Sequence, residues 1–380
     1  MPFDFDTPID RRGTFSEKWD RYSTADVIPL WVADMDFPAP PAVLQALRER
    51  IDHGIFGYTA VPQPLVEAFC QHVHANYGWQ ISPDWLVYIP GLVCGLNITC
   101  AAIGQAGDSV LTAAPVYPPF FSAPRNSGRQ VLRVPLARIA DRWHFDFDAF
   151  ERAIRPDSRL FLLCNPHNPV GRCFDRNELI AVAAFCERHD LVLCADEIHN
   201  ELILAPEKRH IPVASLDPAF ARRTITLMAP SKTYNIPGLG ASVAIISDPG
   251  LRGQFRRAAA GIVPHVNVLG LVAALAAYRD CKGWRAELLT YLRGNRDLVA
   301  AEIGSIPGLS VSPAEATYLS WIDARPLGVD DAEAFFEKAG VGLSPGRSFA
   351  GSGFVRLNFG CSRSLLTTAL TRMRDAVAGL

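Results

Sequence analysis

Short apolar runs recur through the middle of the chain: SVLTA (109–113), RLFLLC (159–164), LVLCA (191–195), TITLM (224–228) and SVAII (242–246). Most are continuous rather than alternating, the pattern of a strand buried on both faces. Between several of them, as over 178–188, apolar residues follow a helical period. Buried runs alternating with helical stretches predict an α/β fold, in which a mostly parallel sheet is covered by helices on both faces. The C-terminal part follows another rhythm. The amphipathic stretch 271–303 predicts helix, with interruptions at Gly283 and Gly294. TYLSWID predicts a strand, and DDAEAFFEKAG a helix closed by Gly340. FVRLNFG and a final helix follow. These elements predict a smaller α+β domain. The expected division is a large domain over 41–284 and a small domain formed by 1–40 and 285–380. No repeat, low-complexity tract or flexible linker interrupts the chain.

Composition narrows the partners. The chain has 380 residues, 49% of them hydrophobic, enough for one large two-part unit. Its 37 Lys and Arg against 39 Asp and Glu leave a formal charge of −2. That balance offers no basic surplus for nucleic acid or anionic lipid. Arg252, Arg256 and Arg257 fit helical spacing and read as a solvated face. The nine Cys form no Cys-x-x-Cys pair, and an odd number cannot all pair within one chain. Several lie in apolar runs, which points to buried, reduced thiols. The N-terminus lacks an apolar signal core, and no apolar run reaches transmembrane length. The expectation is a soluble, cytoplasmic protein with no nucleic-acid or membrane partner.

The chemistry stands in the residues just after the buried runs, since open parallel sheets bind ligands beyond the carboxyl ends of their strands. LVLCA is followed by Asp196, and LFLLC by Asn165-Pro166-His167-Asn168. TITLM is followed by Ala229-Pro230-Ser231-Lys232, and SVLTA by Ala114-Pro115-Val116-Tyr117. A carboxylate, an ammonium group, amides and an aromatic ring are thereby expected on one edge of the sheet. Singly, each has a plain structural reading: helix cap, turn, solvated lysine or core aromatic. Their joint occurrence points to a site. His199 has no His/Cys cluster of ligand spacing around it, so no metal is expected.

Over nearly its whole length the sequence resembles fold-type I pyridoxal phosphate enzymes of the aminotransferase class I/II superfamily. The motifs that carry the resemblance are FGYT (56–59), NPHNPVGR (165–172), ADEIH (195–199), SKTYNIPGLG (231–240), SPGRSF (344–349) and FVRLNFGCSR (354–363). WVADMDFPAP (31–40), PVYPPF around Tyr117, DEIH and SKTYNIPG are similar to the cystathionine β-lyase or C–S lyase branch. The resemblance implies the aspartate aminotransferase-like fold and pyridoxal 5′-phosphate as cofactor.

It also implies roles. Lys232 would carry the cofactor as a Schiff base and then serve as base at the substrate Cα. Its pKa is expected to be lowered by desolvation and nearby positive charge. Asp196 would keep the pyridine nitrogen protonated. Asn168 and His199 would address the ring 3′-oxygen, and Tyr117 would stack on the ring face. The N–H groups of Val93 and Cys94, in PGLVCGLN (90–97), would hold the phosphate. Ser231 belongs to the same cofactor set. Tyr58 would reach the phosphate from a neighbouring subunit, which implies a homodimer with a shared site. Arg356 would grip the α-carboxylate of an amino-acid substrate, with backbone near Ala33 as a further donor. No second Arg is evident for an acidic side chain.

Three positions depart from the family pattern. Ala229 replaces a frequent Ser, Gly240 a frequent Arg, and Pro118 a second Tyr found after the stacking one in close lyase relatives. Gly at 240 also occurs in C–S lyase relatives. The resemblance therefore implies β-elimination of L-cystathionine or another cysteine S-conjugate to a thiol, pyruvate and ammonia. An aminotransferase or a specialised biosynthetic S-conjugate enzyme is the alternative, and a cofactor-binding regulator a more remote one.

Overall fold

The computed structural model describes residues 3–22 and 25–380. Residues 1, 2, 23 and 24, within the expected small-domain segment, lie outside the described residues. Seven strands form the main sheet: β1 (Leu86–Ile89), β2 (Ser109–Ala114), β3 (Gln130–Pro135), β4 (Ser158–Cys164), β5 (Val192–Asp196), β6 (Thr224–Met228) and β7 (Ser242–Ile245). Their spatial order is β1-β7-β6-β5-β4-β2-β3. The pairs from β6 across to β3 are parallel, while β7 runs antiparallel to both β6 and β1. The mostly parallel α/β sheet is thus present, with the SVAII run reversed. The central strands β2 and β6 are buried along their whole length, as their continuous apolar runs require. Edge strand β3 is half exposed and carries polar residues, which hides it from a search for buried runs.

Local signals set the covering helices. Asp175 accepts from the N–H groups of Asn177 and Glu178, and the Glu178 side chain returns to the Asp175 N–H. This capping box starts helix Arg176–Arg188. The stretch 271–303 differs from the expected interruptions at Gly283 and Gly294. It breaks once, at Cys281, between helices Val268–Asp280 and Lys282–Ser305. Gly294 stays helical beneath Arg363, whose Nη2 would lie 2.8 Å from an added Cβ. Close packing, rather than a helix stop, accounts for this glycine.

A smaller antiparallel sheet contains β8 (Ser310–Val311), β9 (Leu319–Asp323), β10 (Ser344–Pro345) and β11 (Phe354–Asn358), in the order β8-β9-β11-β10. The N-terminal segment belongs with it in space. Ile28 and Pro29 pair in parallel with Val341 and Gly342, and Leu30 and Met35 pack in one core with Leu288, Val299 and Leu357. That core holds residues 31–37 against the carboxyl ends of the main strands. Asn235 closes the junction, accepting from the Met35 N–H at 2.9 Å and donating to Phe37 O at 2.7 Å.

Candidate active site

From β2 the chain moves outward to the edge at β3, then returns to the other side of β2 as β4. Such a reversal opens a crevice at the strand ends. Tyr117 follows β2 and Asn168 follows β4, so both stand there. A cavity of about 260 Å³ lies along this edge, lined among others by Ala33, Tyr117, Asn168, Asp196, Lys232 and Arg356. His199, Val93 and Ser231 also line it. The residues expected after separate strands are therefore brought together.

Lys232 is placed by the turn after β6. Its Nζ donates to Ala33 O at 2.5 Å, and the same carbonyl accepts from the buried Tyr318 hydroxyl at 2.9 Å. Burial lowers the Lys232 pKa to about 8; Arg356 adds to the fall, and Asp34 and Asp196 oppose it. The amine is thereby brought towards neutrality near physiological pH. The expectation of a backbone contact near Ala33 has a different form here: its carbonyl serves as acceptor for the lysine.

Asp196 is the last residue of β5, 4% exposed. Its Oδ1 accepts from the Ile198 N–H at 3.1 Å. Burial pushes its carboxyl up to about 7, with Glu197 adding to the rise and the Ile198 N–H and Lys232 opposing it. A cationic partner would restore its charge. His199 lies edge-on to Tyr318, and burial, then Lys232 and Arg356, lowers its pKa to about 3. It is therefore a neutral imidazole, and its buried Nδ1 has no partner among the described residues.

Arg356, from β11, is buried and points into the same cavity. Its Nη1 donates to Asn168 Oδ1 at 3.0 Å, and its Nη2 to Trp31 O at 2.7 Å and Ser344 Oγ at 3.1 Å. Its guanidinium carbon lies 4.7 Å from the Phe349 ring centroid. Burial lowers its pKa to about 10, so it stays charged at neutral pH. Nε is buried without a partner among the described residues. A buried cation with spare donor capacity calls for an anion.

On the opposite wall, helix Leu92–Ala102 begins at the cavity, five residues before the apolar run NITCAAI (97–103). Gly91 provides no side-chain cap, and the first backbone hydrogen bond of the helix is Gly95 N–H to Gly91 O at 3.1 Å. The N–H groups of Leu92, Val93 and Cys94 precede it and are left for a ligand. Val93 lines the cavity, whereas the Cys94 side chain does not. Gly240 faces this turn in the left-handed region, φ +54°, where an added Cβ would meet Pro90 O at 2.8 Å. No arginine fits there without moving backbone. Ala229 is buried in the core beneath the sheet, while Ser242 joins Ser231 in the cavity wall.

Tyr58 is the exception to this convergence. It is fully exposed and lies apart from the cavity, in a groove with Phe56 and His265. Sequence reasoning also missed several contributors. Tyr318 was legible only as part of a strand, and Trp31 acts through its carbonyl, which no side-chain pattern reveals. Ser344, within the SPGRSF motif, has a role that only the pairing of β10 with β11 discloses.

These residues fit pyridoxal phosphate. An amine of lowered pKa, a buried carboxyl, a helix start with free N–H groups and orphaned polar atoms on His199 and Arg356 surround one cavity. Among the described residues no His/Cys/Asp/Glu group suits a metal ion, and no helix is long and apolar enough to cross a membrane.

Comparison with known proteins agrees. A family model described as aminotransferase class I and II matches residues 25–373. Cystathionine beta-lyase PatB of Bacillus subtilis is 38% identical over 390 residues, covering 98% of this chain and 100% of its own. The crystal structure of OvoB superposes with a TM-score of 0.98 at 48% identity, covering 100% of both chains. The PLP-bound C-S lyase from Staphylococcus hominis gives a TM-score of 0.93 at 31% identity, covering 99% of this chain and 98% of that one.

Proposed function

The chain belongs to the aminotransferase class I and II family, and from that premise we propose a pyridoxal phosphate-dependent carbon–sulfur β-lyase. It cleaves L-cystathionine or a related cysteine S-conjugate to a thiol, pyruvate and ammonia. The observation that carries this reading is that Lys232, Asp196 and Arg356 converge on one cavity within the fold shared with C–S lyases. When bound, the cofactor supplies an electron sink for negative charge at the substrate Cα. Lys232 would hold it through Nζ, and the same amine would serve as base for the Cα proton. Asp196 would pair with the ring nitrogen, and Asn168 and His199 with the ring 3′-oxygen. Tyr117 would support the ring face. The N–H groups of Val93 and Cys94, with Ser231, would hold the phosphate. Arg356 binds the α-carboxylate and so fixes the Cα–H bond relative to Lys232.

We place the division between larger and smaller parts at 41–284 against 1–40 and 285–380, which falls near the start of helix Lys282–Ser305. The active form we propose is a homodimer in which Tyr58 completes the partner's phosphate site. The exposure of Ile55, Phe56 and Tyr58 on one short segment supports this. A cytoplasmic location is supported by nine cysteines that are all free.

The test is to incubate holoenzyme with L-cystathionine and with other cysteine S-conjugates. Pyruvate released with equimolar free thiol is the expected result. A keto acid that retains the substrate's carbon–sulfur bond, formed with stoichiometric pyridoxamine phosphate, would establish transamination instead.

A further inference from the structure

The turn that carries Asp196 and His199 into the main cavity has a second face. There, Asn200 and Glu201 border a separate cleft of about 240 Å³, closed on its other sides by Tyr77, residues 208–210 and the long helix at Arg285 and Arg293. Its charge is one-sided. Arg285 is committed, pairing with Glu201 and donating from Nη2 to Asn76 Oδ1 at 3.0 Å. Arg293 is tied only to carbonyls, with Nε donating to Leu204 O at 3.0 Å and Nη2 to Ile203 O at 3.4 Å. Carbonyls hold a guanidinium in place without neutralising it. Lys208 and Arg209 have no side-chain hydrogen bond or ion pair among the described residues, although both line the cleft. Three cations without a close carboxylate contact among the described residues therefore stand around one concavity, with Lys208 in the longer-range field of Glu315 and Asp175.

Two further groups are incomplete at the same place. His210, 5% exposed, gives Nε2 to Glu197 Oε2 at 2.8 Å, while its Nδ1 has no partner among the described residues. The Tyr77 hydroxyl is buried and also has no partner among the described residues, and its ring meets the His210 ring edge-on at 5.4 Å. Buried polar groups normally find partners, so two orphans beside three cations that lack a close carboxylate contact call for a ligand. The tyrosine hydroxyl is a donor, and Nδ1 is one when the imidazole carries both protons. Carboxylate and phosphate oxygens suit this set.

We propose that this cleft binds a small multivalent oxyanion, of the phosphate or dicarboxylate kind, at a site separate from the cofactor cavity. The ligand sits behind the 196–201 turn, held by Lys208, Arg209 and Arg293. The turn is internally bonded, with Asn200 N–H to Glu197 O at 3.0 Å and Leu202 N–H to His199 O at 2.9 Å. An anion on its rear face therefore braces the backbone that presents Asp196 and His199.

Calorimetric titration of the holoenzyme with inorganic phosphate, and separately with succinate, tests this at constant ionic strength held by chloride. Using holoenzyme keeps the cofactor's own phosphate cradle filled. Saturable binding of one anion per chain is expected for at least one probe. Binding of phosphate alone, or of succinate alone, identifies which oxyanion the cleft takes. The Lys208→Met/Arg209→Met double variant should weaken binding by about tenfold or more, and Arg293→Met should do the same. Lys208 and Arg209 make no side-chain hydrogen bond or ion pair among the described residues, so that variant keeps the fold. Failure of both probes to saturate by roughly 10 mM, the very weak range, overturns the proposal. So does unchanged affinity in the double variant.

Discussion

The Arg356 guanidinium donates to the Asn168 side-chain oxygen at 3.0 Å, so the strand that offers the proposed substrate anchor also fixes the amide proposed to face the cofactor ring. Arg356 lies in the smaller sheet and Asn168 in the turn after β4, so the bond ties that sheet to that turn. With Oδ1 occupied, the Asn168 amide is oriented to donate into the cavity.

Replacing Arg356 by Lys keeps a positive charge but loses the planar fork. KM for cysteine S-conjugates should rise by about tenfold to a hundredfold. Cofactor affinity should fall as well, because Asn168 loses the bond that orients it. Steady-state kinetics and absorbance titration with pyridoxal phosphate measure the two effects. A raised KM with unchanged cofactor affinity would separate the roles of the two residues.

The pH dependence of cofactor loading follows from Lys232. Burial brings its pKa from 10.5 to about 8, and only the neutral amine attacks an aldehyde. The neutral fraction rises about tenfold from pH 7 to pH 9 and then levels off. Stopped-flow absorbance of apoprotein mixed with pyridoxal phosphate should follow that curve. A rate still climbing tenfold per unit above pH 9 would indicate an ordinary lysine. Lys232→Ala should form no borohydride-reducible link at all.

Asp196 makes an opposite and separable contribution to the stability of the apoprotein. Its folded pKa, about 7, lies above the ordinary value of 3.8, so the folded state binds the proton more tightly. The stabilisation is complete below about pH 4 and is lost as pH rises through about 7. It amounts to up to about 4 kcal/mol at ~1.4 kcal/mol per unit. Urea denaturation of apoprotein across this range should show the fall, and Asp196→Asn should flatten it.

The chain's pattern made the central sheet legible because β2, β4, β5 and β6 are buried on both faces, and burial writes itself as continuous apolar runs. Edge strand β3 is half solvated and left no such mark. The convergence on one cavity was legible where side chains stand just past a strand, as for Lys232, Asp196 and Asn168. It was not legible where backbone does the work. Trp31 O and Ala33 O serve Arg356 and Lys232 through carbonyls, and every residue type has one. Tyr318 resembles any buried aromatic until the fold sets its hydroxyl 2.9 Å from Ala33 O.

Tyr58 tests the shared site. It is fully exposed in a single chain and outside its own cavity. If it hydrogen-bonds the partner's phosphate, Tyr58→Phe should weaken pyridoxal phosphate binding by about threefold to thirtyfold while leaving the dimer intact. Equilibrium dialysis measures the affinity, and sedimentation the mass. Normal cofactor affinity in the variant would remove Tyr58 from the site.

The close approach of Pro90 at Gly240 leaves no space for an arginine beside the proposed phosphate cradle. The residue sits at φ +54° with Pro90 O 2.8 Å from where a Cβ would be. Pro90 and Gly91 lead into helix Leu92–Ala102, so any side chain at 240 pushes on the turn that presents the Val93 and Cys94 N–H groups. Gly240→Ala carries two costs: about 1 kcal/mol for a left-handed non-glycine residue, and a contact that backbone alone must relieve. We expect a loss of about 2–3 kcal/mol of stability and weaker cofactor binding. Gly240→Arg should be worse on both counts, because the added cation cannot reach the phosphate without displacing the N–H groups already there. Chemical denaturation and cofactor titration of the two variants decide the matter. Tighter cofactor binding by Gly240→Arg would mean that the turn yields, and that the missing guanidinium reflects something other than space.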